Sequence, residues 1–491
     1  MVTFSSLPPE LIIGICSHLQ TEHVLQDVFA LAETDEIIKY ILQQPWRDVF
    51  HFSLANHRLR GIIQPLLYRR ISVHGVFAIT KLIALLRFVT QRPDIAANIK
   101  QLYLNLEPQL TGITSITSRD IDFIRQASAS ANIPFSESLW EESSVKEFDW
   151  DDYDTPYSRY VQRRCRNECG RLGILLMLLL HPMKQLKELG LTQTRDIFRI
   201  LRKELEQQDD ENEESEDMES DYASSEEWGA EQPSGMPTFP SLNSLSARIS
   251  DIMWLAGEDI GTLLMISPNV TRLRLECGDM IAFHSFLARG LQHVTDLTLN
   301  GLPMLDGEFE KIIGSCQALL SFKYIAKDLG QDNFGLDLKS AVEALKSHGD
   351  TLRTLCLELS KSPASDDVTI PDTFSDFIVL ENLWIDASFW VDTIFDDEGY
   401  EDLGNDIMSM LLSLPKSLKR LRLGGEIWHK KLVEFIGNNH NILPNLLTVD
   451  VGWRDAAEAY GLGDLSDEEL SEGHLTALIT ELWPGSSLIG D

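Results

Sequence analysis

The stretch VTRLRLECGDMIAFHSFLARGLQHVTDLTLN, from Val270 to Asn300, begins and ends on the same six-residue pattern. VTRLRL and VTDLTL each place apolar residues at the first, fourth and sixth positions, and Met280 to Val294 between them carries apolar residues at helical spacing. Alternate side chains of an extended chain share a face, so Leu273 and Leu275, like Leu297 and Leu299, point to one side. The stretch therefore reads as strand, helix, strand.

The pattern recurs ten times between residue 99 and the C-terminus. Its instances start at Ile99, Leu186, Leu242, Val270, Val294, Leu319, Leu352, Leu380, Leu418 and Leu446. From Leu242 onward the intervals are 28, 24, 25, 33, 28, 38 and 28 residues, the range of leucine-rich repeats, in which a short strand and a returning helix enclose a shared core. Asp306 to Leu319, Asp337 to Leu352 and Trp428 to Leu446 also show helical spacing. The Asn or Cys that commonly follows the strand is replaced by Thr194, Gly278, Leu302, Ser360 and Glu426, so the array is expected to be irregular.

Two early intervals, 87 residues from Ile99 and 56 from Leu186, are too long for one repeat and imply acidic, loop-like insertions at about 107–157 and 206–240. Glu206 to Glu231 holds 13 acidic residues and no lysine or arginine, a composition that self-repels; it reads as a solvated loop or as a tether regulated at Ser224 and Ser225. The first insertion carries Trp140, Phe148, Trp150, Tyr153 and Tyr157, which pack within the chain or onto a partner. The stretch from about 453 to 491 is expected to cap the array.

With 76 acidic against 42 basic residues the formal charge is -34, which disfavours phosphate backbones and anionic lipid surfaces. No nucleic-acid or membrane partner is expected. The chain opens without a basic region and long apolar stretch, and its six cysteines are scattered, so reduced thiols in the cytoplasm or nucleus are expected. Leu172 to His181, the longest uncharged apolar run, is about half of the roughly 20 residues that span a bilayer and reads as a buried helix.

No phosphate loop, dinucleotide fingerprint, zinc helix or nucleophile elbow occurs. Cys165 and Cys169 lack a second ligand pair, and His18, His181 and His284 lie in or beside apolar helices, where packed or capping roles are commoner than catalysis. The expectation is a binding protein without catalytic residues, metal or cofactor.

At the N-terminus, LPPELIIGICSHL (Leu7–Leu19) is a proline-opened amphipathic helix, and Trp46 to Tyr68 contains a second apolar helical pattern interrupted at Pro65. Alone, these helices are too short to bury their apolar faces. LPPELIIGICSHL followed by FSLANHRLRGIIQPLLYRRISV resembles the F-box of fungal F-box proteins with C-terminal leucine-rich repeats. In this sequence Gln20 to Pro45 separate two halves that the family joins by a few residues, and the stretch reads as one or two added helices.

The resemblance implies a substrate-recognition subunit of a Skp-cullin-F-box type ubiquitin ligase, with a Skp-type adaptor and a cullin scaffold as partners. The implied adaptor contacts are Leu7, Pro8, Leu11, Ile15, Leu19, Phe52, Leu54, Leu66 and Leu67. The fold expected is α/β: a small all-α F-box-like domain over 1–75, with its insertion at 20–45, then an irregular leucine-rich-repeat horseshoe over 76–491. The strand face carries the candidate substrate residues Arg272, Arg274, Trp384, Arg420 and Arg422. The arginine pairs could clasp an acidic or phosphorylated protein segment, or pair with neighbouring acids. A repeat scaffold acting outside any ligase is the other class of reading.

Overall fold

The computed structural model describes residues 7–19, 49–51, 53–73, 78–105, 116–135, 137–140, 170–193, 237–249, 256–277, 290–302, 304, 306–326, 336, 338–359, 373–386, 411–424 and 442–450. The chain divides into two compact units, Met1–Leu191 and Thr192–Asp491, so the expected boundary between 75 and 76 falls inside the first. The expected insertion at 20–45, most of the acidic insertion at 206–240 and the expected cap at 453–491 lie outside the described residues.

In the first unit α1 (Pro9–Leu19) and α2 (His57–Leu67) enclose a small core of Ile12, Cys16, Val49, Leu59 and Ile63. Ile12 and Cys16 are four residues apart, as are Leu59 and Ile63, so each helix offers one short apolar row. Asn56 caps α2 by accepting the Leu59 N–H at 2.8 Å, and the helix continues through Pro65 without the expected break.

Strand β1 (Arg70–Val73) follows at once and pairs in parallel with β2 (Gln101–Asn105), which neighbours β3 (Glu188–Gln193). Between β1 and β2 lie α3 (Ala78–Gln91) and α4 (Pro93–Ala96). Helix α3 buries Ile79, Leu82, Ile83, Leu86 and Val89, the spacing of a single helical face. Residues 170–180 are helical and 172–180 are all buried, matching the buried helix expected there.

The second unit carries β4 (Ser244–Ile249), β5 (Arg272–Cys277), β6 (Asp296–Asn300), β7 (Ser321–Ile325), β8 (Thr354–Glu358), β9 (Asn382–Asp386), β10 (Arg420–Gly424) and β11 (Thr448–Asp450), neighbours in chain order and all parallel. In register, Leu245, Leu273, Leu297, Phe322, Leu355, Leu383 and Leu421 form one buried row. A carbonyl ladder sets that register ahead of the strands. The Thr271 carbonyl accepts from Thr295 and Asp296, the Thr295 carbonyl from Leu320 and Ser321, and the Leu320 carbonyl from Arg353 and Thr354.

Helices α6 (Ala256–Ile266), α7 (Asp306–Ser315) and α8 (Leu338–Leu345) lie between β4 and β5, β6 and β7, and β7 and β8. Phe309 of α7 meets Phe322 and Tyr324 edge-on, with centroids 5.6 and 6.1 Å apart, and the Tyr324 hydroxyl donates to the Leu302 carbonyl at 2.7 Å. His348 accepts the Leu319 N–H at Nδ1 (3.5 Å), which leaves Nε2 to donate to the Ile313 carbonyl at 3.0 Å.

These findings correct the expected fold. The architecture is a parallel α/β sheet with helices, not a separate all-α domain followed by a leucine-rich-repeat horseshoe. Strand β1 lies within the residues expected to be wholly helical, because Ile71 and Val73 alternate and are β-branched. Immediately ahead of β6 the described residues form a 3₁₀ turn (Leu291–His293) and ahead of β9 and β11 they form turns, while most of the helices expected over Met280 to Val294 and Trp428 to Leu446 lies outside the described residues. The first acidic insertion is not all loop. Its residues Ser118–Ala131 form helix α5, opened by a capping box between Thr117 and Asp120 and closed at Asn132 with φ 54°.

Candidate functional site

The expected adaptor contacts separate into three groups. Leu11 and Leu54 are each 55% exposed, and Pro8 is exposed. Leu7, Leu66 and Leu67 are half-buried against the small helical core and hold it together. Ile15 and Leu19 lie on α1, but their side chains, like the whole of Phe52, lie outside the described residues. Two residues that the sequence did not single out join the exposed set, Ile13 at 39% and Phe50 at 50%.

Local structure explains the division. The Pro8 carbonyl accepts from Leu11 and Ile12 at 3.1 and 3.2 Å, opening α1, while Arg58 Nη2 donates to the Leu7 carbonyl at 3.0 Å and ties that start to α2. Ile12 and Cys16 then face inward, which turns the adjacent positions Leu11 and Ile13 to the outside. Four of the eight large hydrophobic residues exposed among the described residues belong to this helical cluster. Burying them against another surface would remove apolar area from water.

On the sheet, the candidate substrate residues do not form one site. Arg272 and Arg274 are on β5, while Arg420 and Arg422 are on β10, five strand steps or about 24 Å away along the sheet. Arg272 faces Asp296 across the β5–β6 register; burial raises the Asp296 carboxyl above its ordinary range, and Arg272 opposes that rise. Neighbouring Arg248 and Glu276 pair at 3.8 Å. Trp384 belongs with the β10 pair: its ring lies 4.0 Å from the Arg422 guanidinium carbon and 5.2 Å from Lys323 Nζ. Lys323, Trp384 and Arg422 occupy one register row, with Cys356 between the first two. Lys323 therefore completes this cluster, a role that pairwise arginine spacing did not signal.

No family model matches the chain, and no curated protein matches it.

A cavity of about 350 Å³ lies against α3 and α5 and is lined by Thr80, Ile83, Arg87, Phe88 and Asp120, among others. Arg87 and Asp120 pair there at 2.8 Å. Burial works against the Asp120 charge, but hydrogen bonds from Thr117 and the Arg87 charge hold the carboxyl below its ordinary value. That pair accounts for both charges, and the lining carries no nucleophile with a base. Among the described residues no group of three or more His, Cys, Asp or Glu is placed to hold a metal, and no helix is long and apolar enough to cross a membrane. Trp140, expected to pack internally or to meet a partner, is buried, stacked on Phe135 and under Arg171.

Proposed function

We propose that this chain is the substrate-recognition subunit of a Skp-cullin-F-box type ubiquitin ligase. The observation that carries the reading is the exposure of Leu11 and Leu54 on a helical cluster built around the buried Ile12, Cys16, Val49, Leu59 and Ile63, within a segment whose LPPEL start and QPLLY end resemble an F-box. The exposed side chains dock on a Skp-type adaptor, and the adaptor joins the cullin scaffold. The strand positions of the second unit that carry Trp384, Arg420 and Arg422 receive an acidic or phosphorylated segment of the substrate. Catalysis is then by proximity: the receptor raises the effective concentration of a substrate lysine at the charged enzyme and needs no reacting group of its own. The reaction would run in the cytoplasm or nucleus, which agrees with free thiols at Cys16, Cys316 and Cys356.

Co-purification with a Skp-type adaptor tests this. The intact chain should retain the adaptor, and the double substitution Leu11→Asp/Leu54→Asp should abolish retention while thermal stability holds. Failure of the intact chain to bind sinks the proposal. It would favour an interaction module acting outside a ligase, a reading supported by the 26 residues from Gln20 to Pro45 between the two halves of the motif.

A further inference from the structure

Arg69, Lys100 and Lys187 stand in one row immediately ahead of β1, β2 and β3. The backbone puts them there. Lys100 and Gln101 both donate to the Arg69 carbonyl, at 2.7 and 3.0 Å, and Lys187 and Glu188 both donate to the Lys100 carbonyl, at 2.8 and 3.0 Å. Neighbouring members are thus one strand spacing apart, about 4.8 Å, and the row is about 10 Å long.

The row has no counter-charge among the described residues. Arg69 and Lys187 are exposed, and neither side chain makes a hydrogen bond or ion pair there. Lys100 Nζ donates to Gln185, which is neutral. The nearest carboxylate in the following row, Glu188, accepts from Gln101 Nε2 at 2.7 Å and the Tyr103 hydroxyl at 3.3 Å. Asp94 is closed on Arg92 at 2.8 Å. Burial, then repulsion from Lys187 and Arg69, lowers the Lys100 ammonium below the ordinary lysine value, as expected of like charges crowded together.

The second unit treats the same backbone position differently. There it holds Asn243, Thr271, Thr295, Leu320, Arg353, Glu381 and Lys419, and Lys419 is neutralised by Glu381 at 3.0 Å. Three adjacent cations are therefore no requirement of the fold, and in a chain of net charge -34 they are an exception.

We propose that the Arg69, Lys100 and Lys187 row docks an acidic peptide segment of a partner protein. In an extended peptide alternate side chains share a face and stand about 7 Å apart, so two carboxylates two residues apart fit within the row. Lysines are flexible point charges suited to single carboxylate oxygens. A nucleic acid or an anionic bilayer would bring dense phosphate against the whole acidic chain, whereas a short peptide brings only the charges that the row neutralises. The proposal does not rest on the adaptor reading, since the helical docking residues take no part.

Fluorescence anisotropy of a fluorescein-labelled octaglutamate peptide titrated with the full chain tests it. Saturable binding is expected, weakened about tenfold or more by Arg69→Gln/Lys187→Gln and by added salt, and unchanged by Lys416→Gln. Lys187→Gln alone, at an exposed position, should give an intermediate loss and guards against misfolding of the double variant. Absence of binding by the intact chain, or equal binding by the double variant, overturns the proposal. So does tighter binding of poly(U) RNA or phosphatidylserine vesicles than of octaglutamate through the same row.

Discussion

The Arg422 guanidinium carbon lies over the Trp384 ring, 4.0 Å from its centroid, and the two residues are directly opposed across β9 and β10. The stack fixes a long side chain that would otherwise lose rotamer freedom on binding a substrate. A double-mutant cycle of Trp384→Ala and Arg422→Ala, read by urea denaturation, should give a coupling of about 0.5–1 kcal/mol. Strict additivity would mean that the contact contributes nothing.

The helical cluster should separate binding from stability. Ile12→Ala and Ile63→Ala remove fully buried groups and should each cost about 2–5 kcal/mol. Leu11→Asp and Leu54→Asp act on half-exposed positions and should change stability by no more than about 0.5 kcal/mol. Thermal melts of the four variants check the division, and equal losses would show that Leu11 and Leu54 are core residues.

Gly190 and Gly349 lack side chains for different reasons. A Cβ on Gly190 would run into the Tyr103 ring, so Gly190→Ala should cost about 1–3 kcal/mol, and Tyr103→Ala in the same chain should restore part of it. At Gly349 the obstacle is the backbone carbonyl of Asp376, which no side-chain change removes. Gly349→Ala should stay destabilised in every background tested by denaturation.

Burial pushes the Cys316 thiol up to about 12 and raises that of Cys16. At pH 8 both should react with iodoacetamide far more slowly in the native chain than in urea. Because the folded value of Cys316 exceeds the ordinary 9.0, its contribution to stability is fully present below about pH 9 and is lost as pH rises towards 12. A Cys316→Ala variant should therefore lose less stability than the parent between those limits.

Removing like charge beside Lys100 should raise its ammonium pKa. Arg69→Gln and Lys187→Gln each take away one of the two repulsions that add to burial there, and nitrogen-detected NMR titration of the lysine side chain reads the shift. No upward movement in either variant would show that burial alone lowers it.

Much of the strand pattern was legible in the residues. Every one of the ten pattern instances leads into a strand, because an apolar alternation of period two is a local property that survives irregular spacing. The helices at Asp306 and Leu338 were legible for the same reason, by their period. Strand β1 was not. RISV is only four residues long and lies two residues after the apolar helix ending in Leu66 and Leu67, so its short alternation of Ile71 and Val73 becomes a strand only through pairing with β2.

The chain by itself determined where apolar side chains alternate, where charge is concentrated, and that no familiar catalytic motif is present. Only the tertiary structure decided that the sheet begins at Arg70 and that Arg272 and Arg420 stand far apart. It also decided that Leu11 is outside while Ile12 is inside, and that Arg69, Lys100 and Lys187 form one row. Local periodicity is written in neighbouring residues. Which of two adjacent apolar residues is buried, and which distant residues become neighbours, depends on packing between elements separated by tens of residues in the chain.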